Sequence, residues 1–455
     1  MGRRSESSGP KSSSEDAPEP PPFLVALKMW IKIGLLSFGG PAGQIGLMHG
    51  ELVEKRKWIS DRRFLHALNY CMLLPGPEAQ QLAIYTGWLL HRTWGGVVAG
   101  ALFVLPGAAL MMGISWVYVT FGDVPVLEAV FYGLKAAVMA IVVMALIRIG
   151  RKILKLPVLW ILAAAAFAGI FFANVPFPAI IVSALVIGFV LGRLAPSVLD
   201  AGEASRGDAA AAVGADNYVV SDEVNDTIPA PTLARSLVTA LVWTAIWLAP
   251  LAGCLFVFGP GHVLTEEGLF FSKAALVTFG GAYAVLPYVA QQAVEVHGWL
   301  SATQMMDGLG LAETTPGPLI LVLQFVGFLG GWNQPEGFSP ATMGMFAAGL
   351  TVWITFVPGY LFIFVGAPYI ERTRGNLMLN RALTAVTAAV VGVILNLAIW
   401  FGWNVIVSEE NGFDALPLVL AGLFFLLLYK FKWDVLWVVG LGGAVGLGLF
   451  LLGLR

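Results

Sequence analysis

Few ionisable residues interrupt the apolar stretches of this chain, and those few are where chemistry should be sought. Glu78 follows Pro75-Gly76-Pro77 inside the apolar run 64–90, and Glu313 precedes Thr314-Thr315-Pro316-Gly317-Pro318 inside the run 304–330. Lys32 and Lys273 each precede a Phe-Gly-Gly triplet, Phe38-Gly39-Gly40 and Phe279-Gly280-Gly281. A proline inside a helix removes a hydrogen bond and clashes with the preceding turn, at roughly 3 kcal/mol. A helix that restarts after such a break has first N–H groups without intrahelical partners and carries partial positive charge there. That is anion-binding chemistry. Restarts after Gly40, Pro77, Gly281 and Pro318 would supply four such ends.

Each residue also has a plainer explanation. A single Pro-Gly-Pro is tolerated in a membrane helix as a kink, and Phe-Gly-Gly alone suits close packing of helices. Glu78 is a favourable carboxylate for a first helical turn or a proton-coupling or gating acid. Glu313 sits at a half-helix C-terminus, where negative charge is disfavoured, so it is either protonated or paired with a cation. Lys32 and Lys273 attract an anion or snorkel to the interface. Lys135 lies mid-run and is a weaker site candidate, whereas Arg148 reads as an interfacial anchor. Ser37, Gln44, Asn69, Gln80, Gln81, Thr278, Thr314 and Thr315 are neutral donors around the breaks. Interhelical hydrogen bonds explain some of them; their clustering favours a polar cavity. The candidate substrate-binding set is therefore Gly39, Gly40, Gln44, Asn69, Gly76, Pro77, Gln80, Gln81, Thr278, Gly280, Gly281, Thr315 and Gly317, with Lys32, Glu78, Lys273 and Glu313 as charge or coupling candidates.

The elements that must position them follow from composition. Of 455 residues, 58% are hydrophobic and 12% charged, against about a quarter charged in soluble proteins. The chain reads as an all-α integral membrane protein whose partner is the lipid bilayer. A net charge of −2 argues against a nucleic-acid surface. Cys71 and Cys254 give no disulfide or metal framework, and the five histidines form no ligand pair. Neither metal nor cofactor is expected, and without a Walker motif or triad the chain reads as neither an ATPase nor an enzyme.

Residues 1–22 are polar and Ser/Pro-rich and lack the apolar core of a secretory signal, so they read as a disordered tail. Thirteen apolar runs follow, most of them near the 20 or so residues a spanning helix needs. They divide into a first unit, 23–194, an Ala/Gly/Asp-rich flexible linker, 195–232, a connecting transmembrane helix, 233–258, and a second unit, 259–455. An offset of 241 places Lys32 on Lys273, Phe38-Gly39-Gly40 on Phe279-Gly280-Gly281, Trp58 on Trp299, Ser60 on Ser301 and Pro75-Gly76-Pro77 on Pro316-Gly317-Pro318, without a gap. This is an internal duplication.

Lys and Arg in short loops favour the cytoplasm. If all thirteen runs cross once, the basic loops at 54–63 and 148–155 fall on opposite sides. If the first two runs of each unit are instead re-entrant hairpins broken at Phe-Gly-Gly and Pro-Gly-Pro, the four basic loops at 54–63, 148–155, 371–381 and 429–433 all become cytoplasmic. The extra run 233–258 then inverts the second unit relative to the first. Inverted repeats with helices broken near mid-membrane are the pattern of secondary transporters. Broken spanning helices are the alternative to hairpins.

The segment Ser37–His91, with Phe38-Gly39-Gly40-Pro41 and Pro75-Gly76-Pro77-Glu78-Ala79-Gln80-Gln81, closely resembles the signature of the chromate ion transporter family. The stretches around Phe279-Gly280-Gly281 and Glu313–Pro318 resemble its second-half counterpart. The resemblance covers nearly all of 23–453 and fits the long two-domain form. It implies a multi-pass carrier of the bacterial inner membrane, N-terminus in the cytoplasm, that expels chromate and confers chromate resistance. It places the family's motif positions on Phe38–Pro41, Gln44, Trp58, Asn69, Pro75–Glu78, Gln80 and Gln81. Sulfate, which has the shape and charge of chromate, is an alternative substrate. An anion channel is the alternative class, and a homodimer is a compatible assembly.

Overall fold

Lipid offers the peptide group no hydrogen-bond partner, so a chain this apolar must satisfy its backbone internally, and helices do so within one segment. A computed structural model describes residues 20–38, 40–122, 124–195, 218–220, 232–370, 377–408 and 412–454. Nearly all of them are helical; the extended elements described are a short antiparallel pair, Val407–Ser408 with Gly412–Phe413, and a bridge between Ile59 and Val220. Among the described residues, six helices are long and apolar enough to cross a membrane: Glu78–Phe121, Pro125–Ile153, Phe177–Leu194, Leu233–Phe258, Pro340–Ile370 and Arg381–Ile406. The chain is a multi-pass membrane protein.

The first half opens with α1 (Phe23–Leu36), α2 (Gly40–His49), a π-helical turn (Gly50–Lys55) and α3 (Asp61–Cys71). The second opens with α9 (Val263–Val277), α10 (Ala282–Ala290), a π-helical turn (Gln291–Val296) and α11 (Ala302–Thr314). The offset of 241 therefore holds for the elements as well as for the letters. It holds for their caps too: Ser60 accepts the Arg63 N–H as α3 begins, and Ser301 accepts the Gln304 N–H as α11 begins. The chain leaves helical geometry at Ser37–Phe38 and Met72–Pro77 in the first half, and at Thr278–Gly281 and Thr315–Pro318 in the second.

Beyond the breaks each half forms a helical hairpin. In the first half this is α4 (Glu78–Phe121), which reverses where His91 (φ −136°, ψ 30°) and Arg92 (φ 56°, ψ −150°) leave helical geometry. Residues eight apart on a straight helix are separated by about 12 Å, yet a Cβ on Gly87 would meet the carbonyl of Gly95 at 2.5 Å. In the second half α12 (Val322–Asn333) and α13 (Pro340–Ile370) form the two limbs, joined through residues 334–339. Past that longer turn the two halves match at a larger, later offset, with Pro106-Gly107 corresponding to Pro358-Gly359.

The remaining helices are α5 (Pro125–Ile153), α6 (Pro157–Ala173) and α7 (Phe177–Leu194), then α8 (Leu233–Phe258), then α14 (Leu377–Ile406), α15 (Leu416–Tyr429) and α16 (Val435–Leu451). The C-terminal pair of each half packs on the long helix of the other: α15 and α16 on α5, α6 and α7 on α14. The two halves are thus interlocked. Helix α8 has no counterpart and lies at the periphery, with only Trp247 and Leu251 buried. Of the linker, Tyr218–Val220 is described: Val219 and Val220 donate to the carbonyls of Lys57 and Trp58. Residues 1–19, Gly39 and most of the linker lie outside the described residues.

Close approach is what lets the exchanged helices seat. A Cβ on Gly133 of α5 would overlap the carbonyl oxygen of Gly442 on α16, and one on Gly392 of α14 would overlap that of Ala163 on α6. Gly133→Ala and Gly392→Ala should each cost about 1–3 kcal/mol, read as a lower midpoint of thermal unfolding in detergent. Gly113, with open space around it, should tolerate alanine without loss.

Candidate functional site

The break loops hold one another across the two halves. The Gly76 N–H donates to the Thr278 carbonyl (2.7 Å), and the Gly317 N–H donates to the Ser37 carbonyl (2.8 Å). These two bonds are the same bond at an offset of 241. Gly76 (φ 110°) and Gly317 (φ 99°) occupy a region that side-chain-bearing residues rarely adopt. Ser37 and Thr278 turn their hydroxyls back onto the carbonyls of Ile33 and Ala274, each at 2.6 Å. The proline breaks of the hairpins close the arrangement: Gly107 lies against the Pro316 carbonyl and Gly359 against the Gln80 side chain.

A cavity of about 330 Å³ lies beside this junction. Pro41 and Ala42 from the start of α2, Gly76 and Glu78 from the start of α4, and Gly280–Tyr283 from the start of α10 line one side. Helix α5 lines the other and brings Arg148 and Lys152, one turn apart, to the cavity. Both cations are exposed. Three helix N-termini and two cations thus face one space. Glu78 is half-buried within it, and a Cβ on Gly281 would sit 3.1 Å from its Oε1. Lys152 acts electrostatically on Glu78, and Arg148 on Glu313. Glu313 stands behind the lining and accepts a hydrogen bond from the Tyr283 hydroxyl. The chemistry on offer is recognition of a small anion, with one carboxylate competing for the same positive groups.

A family model for chromate transporters matches residues 24–189 and 265–447. The chain belongs to the chromate transporter family. The match takes in both sets of breaks and α5, and omits the linker and α8, the parts without a repeat counterpart. A chromate transport protein of Pseudomonas aeruginosa is 32% identical over 96% of this chain and 94% of its own. One from Cupriavidus metallidurans is 29% identical over 89% of this chain and 87% of its own. A probable chromate transport protein of Synechococcus elongatus is 27% identical, covering 87% of this chain and 86% of its own. No solved structure matches the chain.

Within this chromate transporter fold, the residues singled out from the sequence separate into three groups. Gly76, Glu78, Gly280 and Gly281 line the cavity. Gly40, Pro77, Thr278, Thr315 and Gly317 shape the breaks without lining it, and the Thr315 hydroxyl bonds the Ala312 carbonyl. The glutamines serve the backbone: the side-chain amides of Gln44, Gln80 and Gln81 donate to the carbonyls of Gly317 (2.6 Å), Phe356 (3.4 Å) and Pro75 (2.7 Å). Asn69 is exposed on α3 and away from the cavity, and Gly39 lies outside the described residues.

The lysines part company with the repeat. Lys32 binds Glu51 (2.9 Å), which also takes Lys55 (2.8 Å) and Arg56 (3.7 Å). The position matching Glu51 is Gln292, and Lys273 is exposed and outside the cavity lining. Lys135 lies 3.7 Å from Asp307, whose other oxygen accepts from Tyr118 (2.9 Å). Arg148 was legible only as an anchor and Lys152 as part of a basic loop, because positive charge at a helix end is accounted for by topology alone. Their i,i+4 spacing was the available signal. Asp307 and Glu267 were also missed. Glu267 is fully buried on α9 beside Gly330 and Trp299, with no hydrogen-bond partner for either oxygen among the described residues.

At the exit of the first helix pair, hydrogen bonds from Lys55 and then Lys32 hold the Glu51 carboxyl down at about 2, from an ordinary 4.5. A depressed folded value means that this carboxylate stabilises the protein fully above pH 4.5 and loses that contribution as pH falls toward 2. Glu51→Gln should therefore lower the unfolding midpoint at pH 7, and the gap to the parent protein should close as pH falls below 4.

Proposed function

We propose that this protein is a secondary transporter that exports chromate from the cytoplasm across the inner membrane and so confers chromate resistance. The observation that carries the reading is the cavity where three helix N-termini meet Arg148 and Lys152. Chromate is a tetrahedral dianion; two cations match its charge, and helix-end N–H groups suit its oxygens. A site of this kind reads shape and charge, so sulfate should compete for it.

The two units are read as inverted repeats with re-entrant first hairpins, the N-terminus and basic loops lying in the cytoplasm. The offset of 241, the reciprocal bonds between break loops and the exchanged helix pairs support this. A half-helix of about 12 residues is about 18 Å long, somewhat over half of the ~30 Å apolar core, so the breaks lie near mid-depth. With Arg148 and Lys152 exposed at the cytoplasmic end of α5, the cavity corresponds to an inward-open form. The bonds joining the break loops favour their moving together against α5 and α14, rather than one repeat sliding past the other. Glu78 competes with the incoming anion for Lys152, so loading requires that it be displaced or protonated. That gives the carrier a means of coupling.

Moving a dianion out of a cell that is negative inside gains roughly 2.3 kcal/mol per charge per 100 mV. Labelled chromate uptake into inverted vesicles should be saturable, competed by sulfate and accelerated by an inside-positive potential. Flux indifferent to both potential and pH would overturn the gradient-driven reading, and unitary currents would make it a channel. Arg148→Gln and Lys152→Gln should each remove a charged hydrogen bond of about 1.5–3 kcal/mol, lowering uptake at limiting chromate roughly 10- to 100-fold at equal membrane abundance.

A further inference from the structure

A second cavity lies at the periphery, and it shares no lining residue with the first. Its volume is about 340 Å³, and it is walled by the reversal of α4, the start of α8 and the end of α13. Arg92 and Arg235 both line it, together with the hydroxyl-bearing Thr93, Ser236 and Thr239. The rest of the lining among the described residues is apolar or aromatic, including Trp88, Trp243 and Phe364, with no acidic residue among them. Arg92 is set there by the backbone itself, since it occupies the left-handed φ that turns α4 back on itself. Trp243 is held flat against Tyr360, their ring centroids 5.1 Å apart. The cavity therefore has a fixed aromatic floor and a doubly cationic rim.

Its surroundings are equally particular. Helix α8 shows lipid a continuous apolar face, with Leu233, Leu237, Val238 and Leu241 all more than half exposed. The cavity sits at the first turns of that face. It also lies at the end of the molecule that carries the basic loop 54–63: His91, beside Arg92, bonds the Pro21 carbonyl (2.7 Å), and His66 of α3 bonds the Ile370 carbonyl at the end of α13 (3.3 Å). A polar, cationic pocket opening onto an acyl-chain surface at a membrane interface has the chemistry of a phospholipid headgroup site.

We infer that this cavity binds the phosphodiester headgroup of an anionic phospholipid, with Arg92 and Arg235 on the phosphate, the hydroxyls on its glycerol portion, and the acyl chains along α8. The site stands on geometry independent of the transport reading; only its assignment to the cytoplasmic leaflet rests on the proposed orientation.

Thermal unfolding of the full-length protein in detergent tests this, with phosphatidylglycerol, phosphatidylcholine or inorganic phosphate added. Phosphatidylglycerol at about a hundredfold excess over its Kd should raise the midpoint by at least about 3 °C. Phosphatidylcholine and phosphate should not, and Arg92→Gln/Arg235→Gln should abolish the shift. An equal shift with phosphatidylcholine, or a shift that survives in the double variant, would overturn the inference. An equal shift with phosphate alone would assign the cavity to a free anion and overturn it too. Should the double variant fold poorly, native mass spectrometry of Arg235→Gln and Arg235→Lys decides: bound phosphatidylglycerol should be lost in the first and kept in the second. Equal retention in both contradicts the site.

Discussion

Everything in this protein depends on how four interrupted helices satisfy their peptide groups where water is scarce. The answer is reciprocal. Gly76 donates to Thr278 and Gly317 donates to Ser37, so each Pro-Gly-Pro loop is completed by the Phe-Gly-Gly break of the other half. An orphaned peptide group in an apolar environment costs several kcal/mol, and each half supplies the acceptor for the other's loop donor. The glutamine side chains extend the same logic by capping further carbonyls around the junction. Once the loops are tied, helix N-termini point at a common region, and partial positive charge collects there.

Duplication supplies the scaffold, and divergence supplies the site. At the later offset, Arg148 and Lys152 of α5 correspond to Trp400 and Asn404 of α14. Trp400 donates to Glu295, and Asn404 to the Trp400 carbonyl. The cation pair therefore exists on one side of the junction only. Glu51 and Gln292 diverge in the same way: Glu51 pairs with Lys32, whereas the matching Gln292 carries no charge. A near-symmetric frame with one-sided charge suits the proposed carriage of an oxyanion, the frame setting position and the departures from symmetry setting charge.

Much of this was legible in the letters. The apolar runs and the duplicated breaks follow from periodicity and from costly residue types placed where only a special backbone tolerates them. The polar residues were harder. Gln44, Gln80 and Gln81 cluster at the breaks as a substrate site would, but amides serve a backbone carbonyl as readily as a ligand, and only geometry distinguishes the two. Arg148 and Lys152 were obscured by the opposite problem, because a sufficient topological reason for them was already at hand. Glu267 and Asp307 lie in segments where no break drew attention to them, and their burial is a property of tertiary packing that spacing does not reveal.

If the tied breaks build an anion site, calorimetric titration of purified protein with chromate should register it. Gly76 holds a left-handed φ that leucine adopts only with strain, so Gly76→Leu distorts the loop while leaving the apolar helices able to insert. The parent protein should bind one chromate per chain, competed by sulfate, and a Gly76→Leu protein that remains inserted and helical should bind at least about tenfold more weakly. Unchanged chromate affinity in that variant would contradict such a site.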